Sequence, residues 1–211
     1  MNYQVFYPRR RWSVVSAALA GVWALFLLPP QLVDWAHGPG WAIALNDSPF
    51  YRAVHALRES LGLDDIYAVF GSAIAVSMVL LWWATAPVLA WLGWSGRVFS
   101  AVLLALAPVT VVSYLSHEES APLHFLWGAE GFGLILLGVL GIVVAVATRA
   151  DGVRWWLRLL FGATLLIEVA FTWALVYYPH GTVVGLALQA GIICGLAPRA
   201  ERSHDTLPAD A

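Results

Sequence analysis

The stretch LHFLWGAEGFGLILLGVLGIVVAVAT, residues 123–148, carries one acid, Glu130, in a run long enough to cross a bilayer. The hydrocarbon core is about 30 Å thick and a helix rises about 1.5 Å per residue, so about 20 mostly apolar residues suffice to span it. Working outward, comparable blocks recur at 12–32, 66–93, 98–116, 155–178 and 181–197, each bounded by charges, prolines or aromatics. Of the 211 residues 61% are hydrophobic and 11% charged, whereas a soluble domain carries about 25% charged residues. The expected fold is therefore all-α: a polytopic membrane protein, with six transmembrane helices bundled into a single domain over 1–197. A disordered cytoplasmic tail, 198–211, follows it. Pro29-Pro30 predicts an end or kink in the first span, and Pro87 interrupts a second span long enough to tilt.

Orientation follows from the arginines, since the chain has no lysine. With the N-terminus inside, Arg9, Arg10, Arg11, Arg97, Arg149, Arg154, Arg158, Arg199 and Arg202 fall on the cytoplasmic side, and only Arg52 and Arg58 fall outside. That bias predicts an integral protein of the plasma (inner) membrane with both termini cytoplasmic. Arg9–Arg11 ahead of an apolar stretch also suits a signal peptide, but no small-x-small cleavage site follows Leu28 at a suitable distance.

The outer loop, 33–65, contains a helix signal. Ser48 is a cap, Pro49 takes the first helical position, Gly62 is a stop, and Asp64 or Asp65 caps the second span. Phe50, Val54, Leu57 and Leu61 share one face with Arg52, Arg58 and Glu59 displaced from it, which predicts a short amphipathic helix at the interface between helices 1 and 2. His55 and Glu59 are spaced as a surface pair. Five of six histidines fall on the outer side, and His117, Glu118, His124 and His180 are candidates for metal ligands, in a spacing that fits no established motif.

An acid within a bilayer is costly and usually faces a bundle interior or a wet cavity. Glu130 and Glu168 are such acids, and counting residues from the outer side places them, with Gln189, in nearly one layer. Thr164, Glu168 and Thr172 form a polar stripe on helix 5, and Gly181, Gly185 and Gln189 form another on helix 6. Both stripes should face protein, as should the small pair Ala129 and Gly133. Gln189 is suited to joining helices. Two carboxylates are a costlier way to do that than an amide or a hydroxyl. If the acids share a cavity, one protonated beside one ionised would bind a cation, relay protons, or act in acid catalysis. Trp127, Trp173, Tyr177 and Tyr178 would stabilise positive charge through their ring faces, although aromatics at span ends commonly form an interfacial belt.

Several chemistries are excluded. There is no phosphate-binding loop, no lysine for a Schiff base, no His-Glu-x-x-His and no Gly-x-Ser-x-Gly, and Cys194 is alone. Neither a cofactor nor nucleic acid is expected. Six helices, both ends inside, a long first outer loop and Ala20-x-x-x-Ala24 resemble the substrate-binding subunits of energy-coupling-factor vitamin transporters. The likeness covers layout and that one spacing and carries over no binding residue. The reading is a membrane protein that binds or transports a small solute, cation or proton through a site lined by Glu130, Glu168, Gln189, Thr164, Thr172, Trp127, Trp173 and Tyr177. The alternatives are a membrane enzyme using Glu130 and Glu168 as acid catalysts on a lipid or isoprenoid, and an accessory subunit. Membrane lipids, a small ligand, and further subunits docked on small-residue helix faces are the expected partners.

Overall fold

The computed structural model describes residues 10–36, 38–149 and 153–196. Arg9, Arg199, Arg202 and the tail expected at 198–211 lie outside them. The described residues are helical without strands: α1 (Arg10–Ala36), α2 (Gly40–Asn46), α3 (Pro49–Ser60), α4 (Ile66–Ala73), α5 (Ala75–Trp91), α6 (Gly93–Leu115), α7 (Ala129–Ala147), α8 (Trp155–Gly162), α9 (Thr164–Leu175) and α10 (His180–Leu196). A single 3-10 turn, His124–Leu126, precedes α7.

Four segments are long and apolar enough to cross a membrane: Arg10–Asp34, Ile66–Trp91, Gly93–Leu115 and His124–Ala147. A fifth is the pair α8 and α9, bent by 52°. The last, α10, has 17 residues and is shorter than a usual span. The protein is therefore membrane-embedded by the length and apolarity of its helices, with four or five such segments where the sequence predicts six. Neighbours in sequence pack side by side, and α1 closes the ring by packing along α10, which also reaches across to α5. Ala20 and Ala24 are fully buried in α1, and Ser77 on α5 donates its hydroxyl to the Ala20 carbonyl at 2.8 Å.

Each irregularity in these helices frees a backbone carbonyl, and in apolar surroundings a freed carbonyl must find another donor. Pro29-Pro30 does not end α1, which continues to Ala36. Pro30 has no N–H for the Phe26 carbonyl; the Tyr51 hydroxyl of α3 supplies the bond at 2.8 Å. At Ile74, where α4 meets α5, two amides bond one residue early, Ile74 to Gly71 and Ser77 to Ile74. The released Ala73 carbonyl accepts from Trp23 Nε1 at 2.8 Å, and the Phe70 carbonyl lies 3.4 Å from His180 Nε2. At the bend between α8 and α9 the Leu160 carbonyl accepts from Gln189 Nε2 at 2.8 Å. The breaks are thus stitched by side chains from other helices.

The loop helix forms as its caps predict. Ser48 accepts from the Tyr51 amide, Pro49 opens the helix, Gly62 has φ +68°, and Asp65 Oδ1 accepts from the Ala68 amide at 2.8 Å to start α4. Its inward face differs from the amphipathic pattern. Tyr51 and Arg58 are buried while Phe50, Leu57 and Leu61 are exposed. Two backbone carbonyls decide this orientation: Tyr51 serves Phe26 in α1, and Arg58 Nη1 donates to Leu63 where the chain leaves α3. Glu59 pairs with Arg58 at 3.3 Å instead of with His55, whose Nε2 lies 2.9 Å from Asn46 Oδ1.

Candidate functional site

Every apolar segment sends a polar group to the end of the bundle nearest α3. Gln31 comes from α1, Tyr67 from α4, Ser113 and Tyr114 from α6, Glu130 from α7, Tyr177 from the turn after α9, and His180 from α10. The Tyr177 hydroxyl donates to Gln31 Oε1 at 2.7 Å, and Gln31 Nε2 donates to the Tyr67 carbonyl at 2.8 Å. Tyr177 also meets the hydroxyls of Tyr67 and Tyr114, and the Trp127 indole reaches Tyr67. Tilted and edge-to-face ring contacts complete the cluster. Tyr67 lies 5.0 Å from Tyr114, and His180 lies 5.3 Å from Tyr177 and 6.5 Å from Tyr114. Gly71 is required beneath it, because a Cβ there would collide with the Tyr114 ring.

Glu130 enters this cluster from the first turn of α7, where free amide groups favour an acid. Left-handed Gly128, φ +81°, turns the chain into the helix and donates its N–H to Ser113 Oγ at 2.8 Å. The Ser113 hydroxyl in turn serves Glu130, as does the Glu130 amide itself. One oxygen is left over: Glu130 Oε2 is buried without a hydrogen-bond partner. The side chain is 6% exposed.

Glu168 lies elsewhere. It faces Gly138 on α7, where a Cβ would come within 2.9 Å of Glu168 Oε2. Gly138 is eight residues along α7 from Glu130, or about 12 Å at the helical rise. The residue is 4% exposed, and its Oε1 has no hydrogen-bond partner. Tyr178 is close enough to both acids to feel their charges, and its hydroxyl donates to the Gly131 carbonyl at 2.6 Å. No arginine or histidine pairs with either acid among the described residues.

The two stripes do meet. Thr172 and Thr182 share a hydrogen bond at 2.7 Å, Gln189 Nε2 lies 2.9 Å from Thr164 Oγ1, and Gly181 and Gly185 lie against Phe171. The single layer does not form. Gln189 and Thr164 sit at the α8 and α9 bend, where Gly141 faces Thr164, a turn beyond Gly138 and Glu168. Gln189 lines a small void of about 20 Å³ with Leu81, Thr85, Phe99 and Leu137, none of them acidic. The layer fails because residue counting assumes straight spans, whereas α7 starts only at Ala129 and the fifth segment bends at Ala163.

Among the aromatics, Tyr177 is inside the cluster and Trp127 lies at its edge. Trp173 points outward, 81% exposed. Among the histidines, His117 and Glu118 come together with Asp65, while His124 bonds the Ser116 carbonyl and stacks on Trp127, and His180 is buried beneath the tyrosines. Gln31, Tyr67 and Tyr114 were not among the residues singled out in the sequence, and Asp65 was read there as a helix cap. A signal for Gln31 existed, an amide placed within an apolar span just after two prolines. The tyrosines read as belt residues. Comparison with known families, curated proteins and solved structures returned no match.

Proposed function

We propose that this chain is a six-span protein of the inner membrane, with both termini cytoplasmic, that binds or passes a proton or small monovalent cation from its outer face. In this reading Glu130 is the entry acid, Glu168 the deeper acid, and Tyr178 the group between them. The supporting observation is that both carboxylates are more than nine-tenths buried, and each keeps one oxygen without a partner. A carboxylate serving only to join helices would be expected to use its hydrogen-bonding capacity, because a buried, unpartnered polar group costs about 1–3 kcal/mol. Gln189 behaves in that way, with its amide N–H groups given to Leu160 and Thr164. The free oxygens of Glu130 and Glu168 suit a proton or cation that comes and goes.

The surroundings fit that role. Tyr67, Tyr114 and Tyr177 lie close enough to Glu130 to feel its charge, and phenol ring faces favour a positive charge. The α1 and α10 face carries a groove of about 410 Å³ lined by Ala17, Ala18, Gly21, Ala187 and Gly191, apolar enough for lipid or a partner helix.

The test is an imposed pH gradient across vesicles containing the full chain and an internal pH dye. Wild-type protein should dissipate the gradient several-fold faster than empty vesicles, and E130Q and E168Q should each return the rate toward empty vesicles while remaining folded. Wild-type-like flux in both variants, with only their thermal stability changed, would sink the reading and leave the acids as helix joints.

A further inference from the structure

We propose that Asp65, His117 and Glu118 form a site for a first-row divalent cation, of which Zn²⁺ is the best fit, at the α3 end of the bundle. One ligand atom from each lies within 4.8 Å of the other two. His117 Nε2 and Asp65 Oδ2 are 3.6 Å apart, close to the edge of about 3.4 Å for a tetrahedron with ligand bonds of about 2.1 Å. At that separation the two are too far apart to hydrogen bond well, so the pair does not satisfy itself.

The imidazole is set for coordination by a contact outside the three ligands. His117 Nδ1 lies 2.9 Å from the Tyr114 carbonyl. A carbonyl can only accept, so Nδ1 carries the hydrogen, and in the neutral ring Nε2 then presents its lone pair toward Asp65, the arrangement found where histidine binds metal. The Tyr67 ring, 5.1 Å away, holds the imidazole plane. Asp65 is also fixed from outside: Oδ1 caps α4 through the Ala68 amide, which leaves Oδ2 toward His117. Glu118 is exposed and supplies the third, adjustable ligand, with one oxygen 3.4 Å from the Ser120 hydroxyl. Among the described residues no arginine neutralises Asp65 or Glu118. One imidazole with two carboxylates is a donor set for Zn²⁺ or its first-row neighbours, with water completing the shell. A bound ion would tie the start of α4 to the end of α6, beside Tyr67 and Tyr114.

The experiment is a thermal scan of the full chain, without added histidines, over a ZnCl₂ titration. The midpoint should rise by about 5–10 °C at a hundredfold excess over Kd. H117A should abolish the rise, and E118Q should weaken Zn²⁺ at least tenfold. D65N should do the same while keeping the helix cap, since asparagine caps as aspartate does. Co²⁺ should give visible ligand-field bands that H117A removes. No response to Zn²⁺ or Co²⁺, a full response in H117A, or a response to Ca²⁺ alone would each overturn the site.

Discussion

The two intramembrane acids occupy opposite kinds of environment. Glu130 joins a cluster to which every apolar segment contributes, and it shares Ser113 with the Gly128 amide at the start of α7. Glu168 lies in a seam between α7 and α9 whose near neighbours are Gly138 and Leu165, with no hydrogen bond to Oε1. A shared network couples its members, so a change at Glu130 should be felt across six segments. A change at Glu168 should remain local.

The sharpest break in that contrast comes from packing. Gly71→Ala drives a Cβ into the Tyr114 ring at the centre of the cluster. Stability should fall by about 3 kcal/mol, the upper end for overpacking, measured by denaturation in mild detergent. Next comes replacement of each acid by leucine. Glu130→Leu strips a partner from Ser113 and should cost about 2 kcal/mol, whereas Glu168→Leu removes an unpartnered buried acid and should lie within about 1 kcal/mol of the parent, or stabilise it. Equal losses at the two positions would erase the distinction.

Smaller effects sharpen it. Tyr177→Phe leaves Gln31 Oε1 without its donor and should cost about 1 kcal/mol. In double-mutant cycles Tyr177→Phe should couple to Glu130→Gln by more than about 0.5 kcal/mol, and be additive with Glu168→Gln within that margin. The smallest effect concerns α3, which braces α1 beside the cluster. Burial foremost, then the Arg58 charge, holds His55 below its ordinary pKa of 6.5, with Glu59 opposing. Its Nδ1 is buried without a partner, so a second proton has nowhere to bond. Below pH 6.5 the unfolded chain then binds more protons than the folded one, and docking of α3 should weaken as pH falls through that value toward the lower folded pKa. Hydrogen exchange of α3 amides should quicken on acidification in the parent and show no such step in His55→Gln.

How much of this was legible depends on range. Ser48-Pro49, Gly62 and Asp65 act on amides within a few residues, so their effects follow from local sequence, and α3 and α4 start where expected. The inward face of α3 depends on distant carbonyls. Nothing near Pro30 announces that Tyr51 will serve Phe26, and nothing near Ile74 announces Trp23 or His180. The metal candidates divided likewise: His117 and Glu118 are neighbours in the chain, but Asp65 reaches them only because α4 packs on α6.

Composition by itself determined the solvent and the class. Blocks of apolar residues as long as a bilayer is thick force backbone groups to bond internally, and helices do so within one segment. The same text marked Glu130 and Glu168 as costly. Tertiary structure alone decided that they lie about 12 Å apart along α7, one in a six-segment polar cluster and the other in a glycine seam. The reason is physical: depth counted along a chain assumes straight helices, while breaks at Ile74 and Ala163 and the late start of α7 shift each side chain. Only the packed bundle supplies the donors that make such breaks affordable.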